Sequence, residues 1–220
     1  MLRAGRNLVL AAGLAFGAVQ PLSAGPQTLV ALGDSLTQGY GLPPEDGFVP
    51  QLARWLKDRG ADVVVVNAGV SGDTTAGALA RAEWAMVSET DALIVTLGGN
   101  DLLRGLPPAE TRANLDAILA KADTRRIPVL LVEMRAPGNY GPDYKAAFDA
   151  IYPDLARAHG ALLAPEFLAP LRAALDAGTP QDRLLQPDGL HPTAEGVALV
   201  VDALGPKVQE LLEKTRPAGG

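Results

Sequence analysis

Four short apolar runs, at residues 28–32, 63–66, 93–97 and 129–132, are separated by single stretches of helical periodicity. No other feature constrains the fold as tightly. The runs are near-continuous in Val, Leu, Ile and Ala rather than alternating with polar residues, as expected of strands buried on both faces. A weaker run at 161–163 supplies a fifth strand. Helical spacing covers residues 49–59, 75–87, 109–122 and 144–159, and in the third of these Leu115, Ile118 and Leu119 fall at i, i+3 and i+4. A last helix is predicted over 194–213. Strands joined by single helices form a parallel sheet through right-handed crossovers, with helices on both faces. The prediction is therefore α/β: a single doubly wound, five-stranded parallel sheet in a three-layer αβα sandwich. The 220 residues suffice for one such core, and no repeat or low-complexity block divides them.

Composition then removes whole classes of chemistry. The chain has no Cys, which excludes a thiolate nucleophile, an iron–sulfur centre, a Cys-built zinc site and a Cys-linked lipid anchor. With two histidines, His159 and His191, it cannot form a His-rich metal site or an HExxH helix. A net charge of −6 argues against nucleic acid as a partner, because phosphate binding needs clustered Lys and Arg. The first 24 residues read as a secretory signal peptide. Arg3 and Arg6 form a basic start, residues 8–19 are apolar, and small residues lead to Ala24. Twelve apolar residues are too few for a transmembrane span; an uncleaved anchor or an ordinary first helix is the alternative reading. The expected organisation is a leader over 1–24, one domain over 25–216 and a disordered tail over 217–220. That layout places the mature protein in the periplasm or outside the cell, and a monomer is the expected state.

In doubly wound folds, ligands bind beyond the carboxyl ends of the strands, near the point where strand order reverses. Four glycine-containing polar segments fall where that rim should be: Gly33-Asp34-Ser35-Leu36, the loop over residues 67–73 with Ser71-Gly72-Asp73, Gly98-Gly99-Asn100-Asp101, and Asp188-Gly189-Leu190-His191. A serine directly after a strand, on a tight turn, presents its hydroxyl as a nucleophile. It needs a base, and His191 offers one, with Asp188 three residues earlier to fix the imidazole tautomer and stabilise the imidazolium. The oxyanion formed on attack needs preorganised donors, for which the backbone N–H groups of Ser35 and Gly72 and the Asn100 side chain are candidates.

These blocks resemble those of the GDSL, or SGNH, hydrolases, and the resemblance spans nearly the whole chain after the leader. GDSLTQGYG, SGDTT, LGGNDLLRG, PGNYGPDY and DGLHP are most similar to the exported bacterial thioesterase I, lysophospholipase and arylesterase group. The resemblance implies a flavodoxin-like sheet, no metal or other cofactor, and hydrolysis of small-molecule acyl esters and thioesters through an acyl-serine. It assigns Ser35, Asp188 and His191 to catalysis and Ser35, Gly72 and Asn100 to the oxyanion hole. Asp34 supports the nucleophile turn.

Each assignment has a plainer rival. Gly33-Asp34-Ser35 could be a capped turn, Gly72 and Asp73 could cap the next helix, Asp101 could close its own turn, and Thr193 can N-cap the last helix. His159, at a helix C-terminus, is read as serving the helix dipole. Three other functions compete. An α/β-hydrolase is disfavoured because no GxSxG elbow occurs. A metal-dependent phosphoesterase could use Asp34, Asn100, Asp188 and His191 as ligands. A non-catalytic binding module would be expected to lack one of these side chains. Leu102, Leu103, Leu106 and Pro107, with the loop over 136–144, are candidate walls of an acyl groove, and the shortness of both loops points to short- and medium-chain esters.

Overall fold

A computed structural model describes residues 25–215; the expected leader at 1–24 and the tail at 217–220 lie outside the described residues. Five strands form one parallel sheet in the order β2-β1-β3-β4-β5: β1 (Gln27–Gly33), β2 (Val63–Gly69), β3 (Ala92–Thr96), β4 (Val129–Val132) and β5 (Leu162–Ala164). Every pairing is parallel, from Gln27 opposite Val63 to Val132 opposite Ala164. The strands β3 and β4 are buried along their whole length, and so are residues 29–33 of β1, as their apolar runs require. The β2 run departs from that reading, since it is an edge strand with Val64 half exposed. Four consecutive valines there satisfy β-propensity without burial on both faces.

Among the described residues, ten α-helices connect and flank the sheet. They are α1 (Ser35–Gln38), α2 (Phe48–Lys57), α3 (Thr75–Ala85), α4 (Gly99–Leu103), α5 (Pro108–Thr124), α6 (Pro142–Asp149), α7 (Ile151–His159), α8 (Ala169–Asp176), α9 (Gln181–Leu184) and α10 (Ala194–Glu213). Helices α2, α8 and α10 form one outer layer, and α3, α5 and α7 the other. The periodicity over 144–159 divides into α6 and α7 because Pro153 has no N–H to give the Asp149 carbonyl, and its ring crowds that oxygen. Helix α10 begins at Thr193, whose side chain accepts from Gly196 N at 3.2 Å, the N-cap expected from sequence.

Strand order reverses at β1, whose neighbours are β2 on one side and β3 on the other. The loops after β1 and β3 therefore flank the topological switch point, where this architecture opens a crevice. They are the Ser35 and Asn100 loops.

Candidate active site

The turn after β1 is forced tight by close packing. A Cβ at Gly33 would lie 2.0 Å from Thr37 Oγ1 and 2.9 Å from the Thr96 carbonyl oxygen, so no side chain fits there. Asp34 then N-caps α1, its Oδ1 accepting from Leu36 N at 3.0 Å. Its other oxygen, Oδ2, accepts from Asn100 Nδ2 at 3.2 Å, which ties the β1 loop to the β3 loop. Burial raises the Asp34 carboxyl to about 6, against the Leu36 hydrogen bond, the nearby His191 and the Asn100 hydrogen bond, which all lower it. Ser35, first residue of α1, lines a cleft of about 450 Å³.

His191 reaches Ser35 from the far end of the sequence. Its Nε2 lies 2.8 Å from Ser35 Oγ and its Nδ1 2.6 Å from Asp188 Oδ2. Asp188 Oδ1 also accepts from the backbone N–H groups of Leu190 (2.9 Å) and His191 (3.0 Å). Those two backbone hydrogen bonds and the imidazole hold its carboxyl at about 2, firmly ionised. With Nδ1 facing a carboxylate, the favoured tautomer carries its proton on Nδ1 and leaves the Nε2 lone pair facing the Ser35 hydroxyl. The His191 loop is anchored by Gln186, whose Nε2 donates to the Tyr40 and Pro192 carbonyls at 2.8 Å each. The Tyr40 ring packs on the imidazole, with centroids 4.6 Å apart.

Gly72 and Asn100 line the same cleft. Among the described residues, the backbone N–H groups of Ser35 and Gly72 have no hydrogen-bond acceptor. The structure thus gathers Asp34, Ser35, Gly72, Asn100, Asp188 and His191 at the switch point; Ser35, His191 and Asp188 are in hydrogen-bond sequence. Thr74, rather than Gly72 or Asp73, caps α3. Asp101 is buried and reaches further than its own turn, accepting from Thr75 N at 2.9 Å, Thr75 Oγ1 at 2.5 Å and Thr111 Oγ1 at 3.2 Å. Each member of the candidate metal set has hydrogen-bond partners within the site, and among the described residues no group of three or more His, Asp or Glu side chains is arranged to hold a metal ion.

Leu102, Leu103, Pro137 and Tyr140 line the cleft as expected, together with Met134 and Leu168, while Leu106 and Pro107 do not. The Leu106 carbonyl instead accepts from Tyr144 Oη, and that of Leu102 from Tyr140 Oη, both at 2.8 Å. With Tyr152 Oη donating to the Leu97 carbonyl at 2.9 Å, three phenols pin the segment that carries Asn100. Arg81 is another residue that sequence reasoning missed. It pairs with Asp73 at 2.7 Å and donates to the carbonyls of Ala68 (2.8 Å) and Gly33 (3.0 Å), tying the ends of β1 and β2.

Residues 31–199 match the GDSL-like Lipase/Acylhydrolase family. This chain belongs to that family. It is an ester-hydrolysing enzyme. The chain is 38% identical over 190 residues to Esterase TesA of Pseudomonas aeruginosa, covering 86% of this chain and 91% of that one. It is 33% identical over 199 residues to an arylesterase of Vibrio mimicus, covering 90% and 94%. Among solved structures, the SGNH-hydrolase family esterase AlinE4 superposes with a TM-score of 0.68 at 43% identity, covering 86% of this chain and 98% of that one.

Proposed function

We propose that this GDSL-family enzyme is a serine esterase working through a Ser35–His191–Asp188 triad and an oxyanion hole of Ser35 N–H, Gly72 N–H and the Asn100 side chain. The carrying observation is the continuous path from Ser35 Oγ through His191 to Asp188, at 2.8 and 2.6 Å, beside two unpartnered backbone donors. As Ser35 Oγ attacks the substrate carbonyl carbon, its proton passes to His191 Nε2, and Asp188 stabilises the imidazolium. The carbonyl oxygen becomes an oxyanion held by the three donors. Collapse expels the alcohol or thiol, which takes the proton from His191 and leaves an acyl-serine. Water, deprotonated by His191, attacks that ester, and the second collapse releases the carboxylic acid and returns the proton to Ser35.

The apolar cleft walls support acyl esters and thioesters as substrates, of the arylesterase, thioesterase or lysophospholipase type, and the shortness of the loops over 102–107 and 136–144 favours short and medium chains. The site is complete within one chain, in keeping with a monomer. The basic, apolar and small-residue order of residues 1–24 supports export to the periplasm or beyond, with hydrolase chemistry in 25–216.

The deciding experiment is p-nitrophenyl butyrate hydrolysis by the purified chain in excess EDTA, with Ser35→Ala alongside. Turnover that survives chelation and disappears in the variant is expected. Activity lost to EDTA would replace this reading with the metal-dependent one, and activity retained by Ser35→Ala would remove the nucleophile.

A further inference from the structure

Arg104 is the first residue beyond α4, and its backbone N–H closes that helix on the Asn100 carbonyl at 3.1 Å. Its side chain leaves the helix and crosses to the neighbouring loop, where Nη2 donates to the Gly72 carbonyl at 2.7 Å. Among the described residues, its guanidinium is in no ion pair with a carboxylate. What it grips is a reverse turn. Asp73 N donates to the Val70 carbonyl at 3.1 Å, and Gly72, third in that turn, has φ of 79°, a left-handed backbone that glycine alone adopts without cost. The peptide between Gly72 and Asp73 is therefore held on both edges, by Val70 through its N–H and by Arg104 through its C=O. Only the two soft torsions of Gly72 separate that fixed plane from the unpartnered Gly72 N–H. Glycine is also the residue least able to hold those torsions unaided.

We propose that Arg104 is a positioning residue for the oxyanion hole, aiming the Gly72 N–H by clamping the Gly72 carbonyl and joining that loop to α4, the short helix that carries Asn100. This inference rests on the serine-esterase reading of the same site. The clamp acts through geometry, so it leaves ground-state substrate binding alone and affects the step in which the oxyanion forms. Lysine can make the same single hydrogen bond to that carbonyl, but its ammonium on a flexible stem holds the carbonyl's direction less firmly than the planar guanidinium, so it replaces Arg104 only in part.

The test measures kcat and KM for p-nitrophenyl butyrate with wild type, Arg104→Met, Arg104→Lys and Ser35→Ala. Removing a whole oxyanion donor costs about 100- to 1000-fold, and misaiming one is expected to cost about 10- to 100-fold in kcat for Arg104→Met, with KM within about twofold and partial recovery in Arg104→Lys. A spectroscopic readout separates aiming from mere support of the fold. In the Ser35 adduct of a p-nitrophenyl alkylphosphonate, the Gly72 amide proton should resonate far downfield in wild type and move upfield in Arg104→Met. Arg104→Lys carries the test if Arg104→Met does not fold. A variant kcat within about threefold of wild type, a loss confined to KM, or an unmoved Gly72 resonance would each overturn the proposal. Full activity in Ser35→Ala would instead sink the esterase reading, and this inference with it.

Discussion

The two histidines occupy opposite ends of the sheet and face different partners. His191 stands beyond the carboxyl ends of the strands, between one carboxylate at 2.6 Å and one hydroxyl at 2.8 Å. His159 ends α7, near the start of β4, between two carboxylates: Asp123 Oδ2 at 2.5 Å from Nδ1 and Asp116 Oδ1 at 2.9 Å from Nε2. Both ring nitrogens of His159 are thus asked to donate, which only the imidazolium does. Burial works against its charged form, yet the hydrogen bonds it donates to Asp123 and Asp116 outweigh burial and raise its pKa above the usual imidazole value. A cation with both protons committed cannot take a proton from anything. What the His191 site has is asymmetry: one anion to fix the tautomer, and a neutral, proton-bearing neighbour opposite the free lone pair.

Mutation of the two sites should break the comparison cleanly. With a folded protein by circular dichroism, His191→Ala and Ser35→Ala should each lower aryl-ester kcat by about 10⁴-fold or more, as removal of one member of a cooperative triad does. His159→Ala should leave kcat within about threefold, since no reacting group touches it. Comparable losses at both histidines would end the distinction. On the acceptor side of the reaction, Asn100→Ala should cost about 100-fold in kcat and little in KM, because in the proposed oxyanion hole the amide acts on charge that develops only in the transition state. A loss confined to KM would mean that Asn100 binds ground-state substrate instead.

Two carboxylates near His191 sharpen the contrast through pH. Asp188 is held at about 2 and Asp34 raised to about 6, so they respond to acid differently. Between its ordinary value and about 6, Asp34 is protonated in the folded chain and ionised in the unfolded one. The folded state therefore binds more protons there, and that group's contribution makes stability fall as pH rises from about 4 to about 6. Above pH 6 the cost is constant. Urea unfolding of wild type and Asp34→Asn at pH 4, 5 and 7 should show the variant gaining on wild type as pH rises. An unchanged difference across that range would show that burial does not penalise the Asp34 charge.

How much of this was legible beforehand depends on whether an effect is local in sequence. The apolar strands and α10 were readable because burial on both faces, and the Thr193 cap, leave marks within a few residues. The Asp188–His191 pair was readable because its members are three apart, and Ser35 because it directly follows a strand. Edge position at β2 was not, since four valines read alike at an edge or in the centre. Nor were Arg81, Arg104 or the three phenols, whose partners lie in loops brought near only by the assembled sheet. The same holds for His159: a histidine before Gly160 reads as a helix-end cation, and nothing local announces Asp116 and Asp123, 43 and 36 residues away.

That pair of carboxylates makes the smallest effect also the most diagnostic. His159 has a folded pKa raised above its unfolded value, so its stabilisation is complete below the unfolded pKa and is lost as pH climbs through the folded one. Both aspartates are about half exposed, which screens the pairs. Each is then worth roughly 0.2–1 kcal/mol, and His159→Ala should destabilise by about 1 kcal/mol from this source at pH 5.5 and by progressively less at higher pH. Urea unfolding at pH 5.5 and pH 9 measures the difference. Were His159 only a packing residue, the loss would be the same at both pH values. Were it a base like His191, activity rather than stability would follow the substitution. The expected outcome separates all three, because charge held by two anions is the one role whose contribution disappears in alkali.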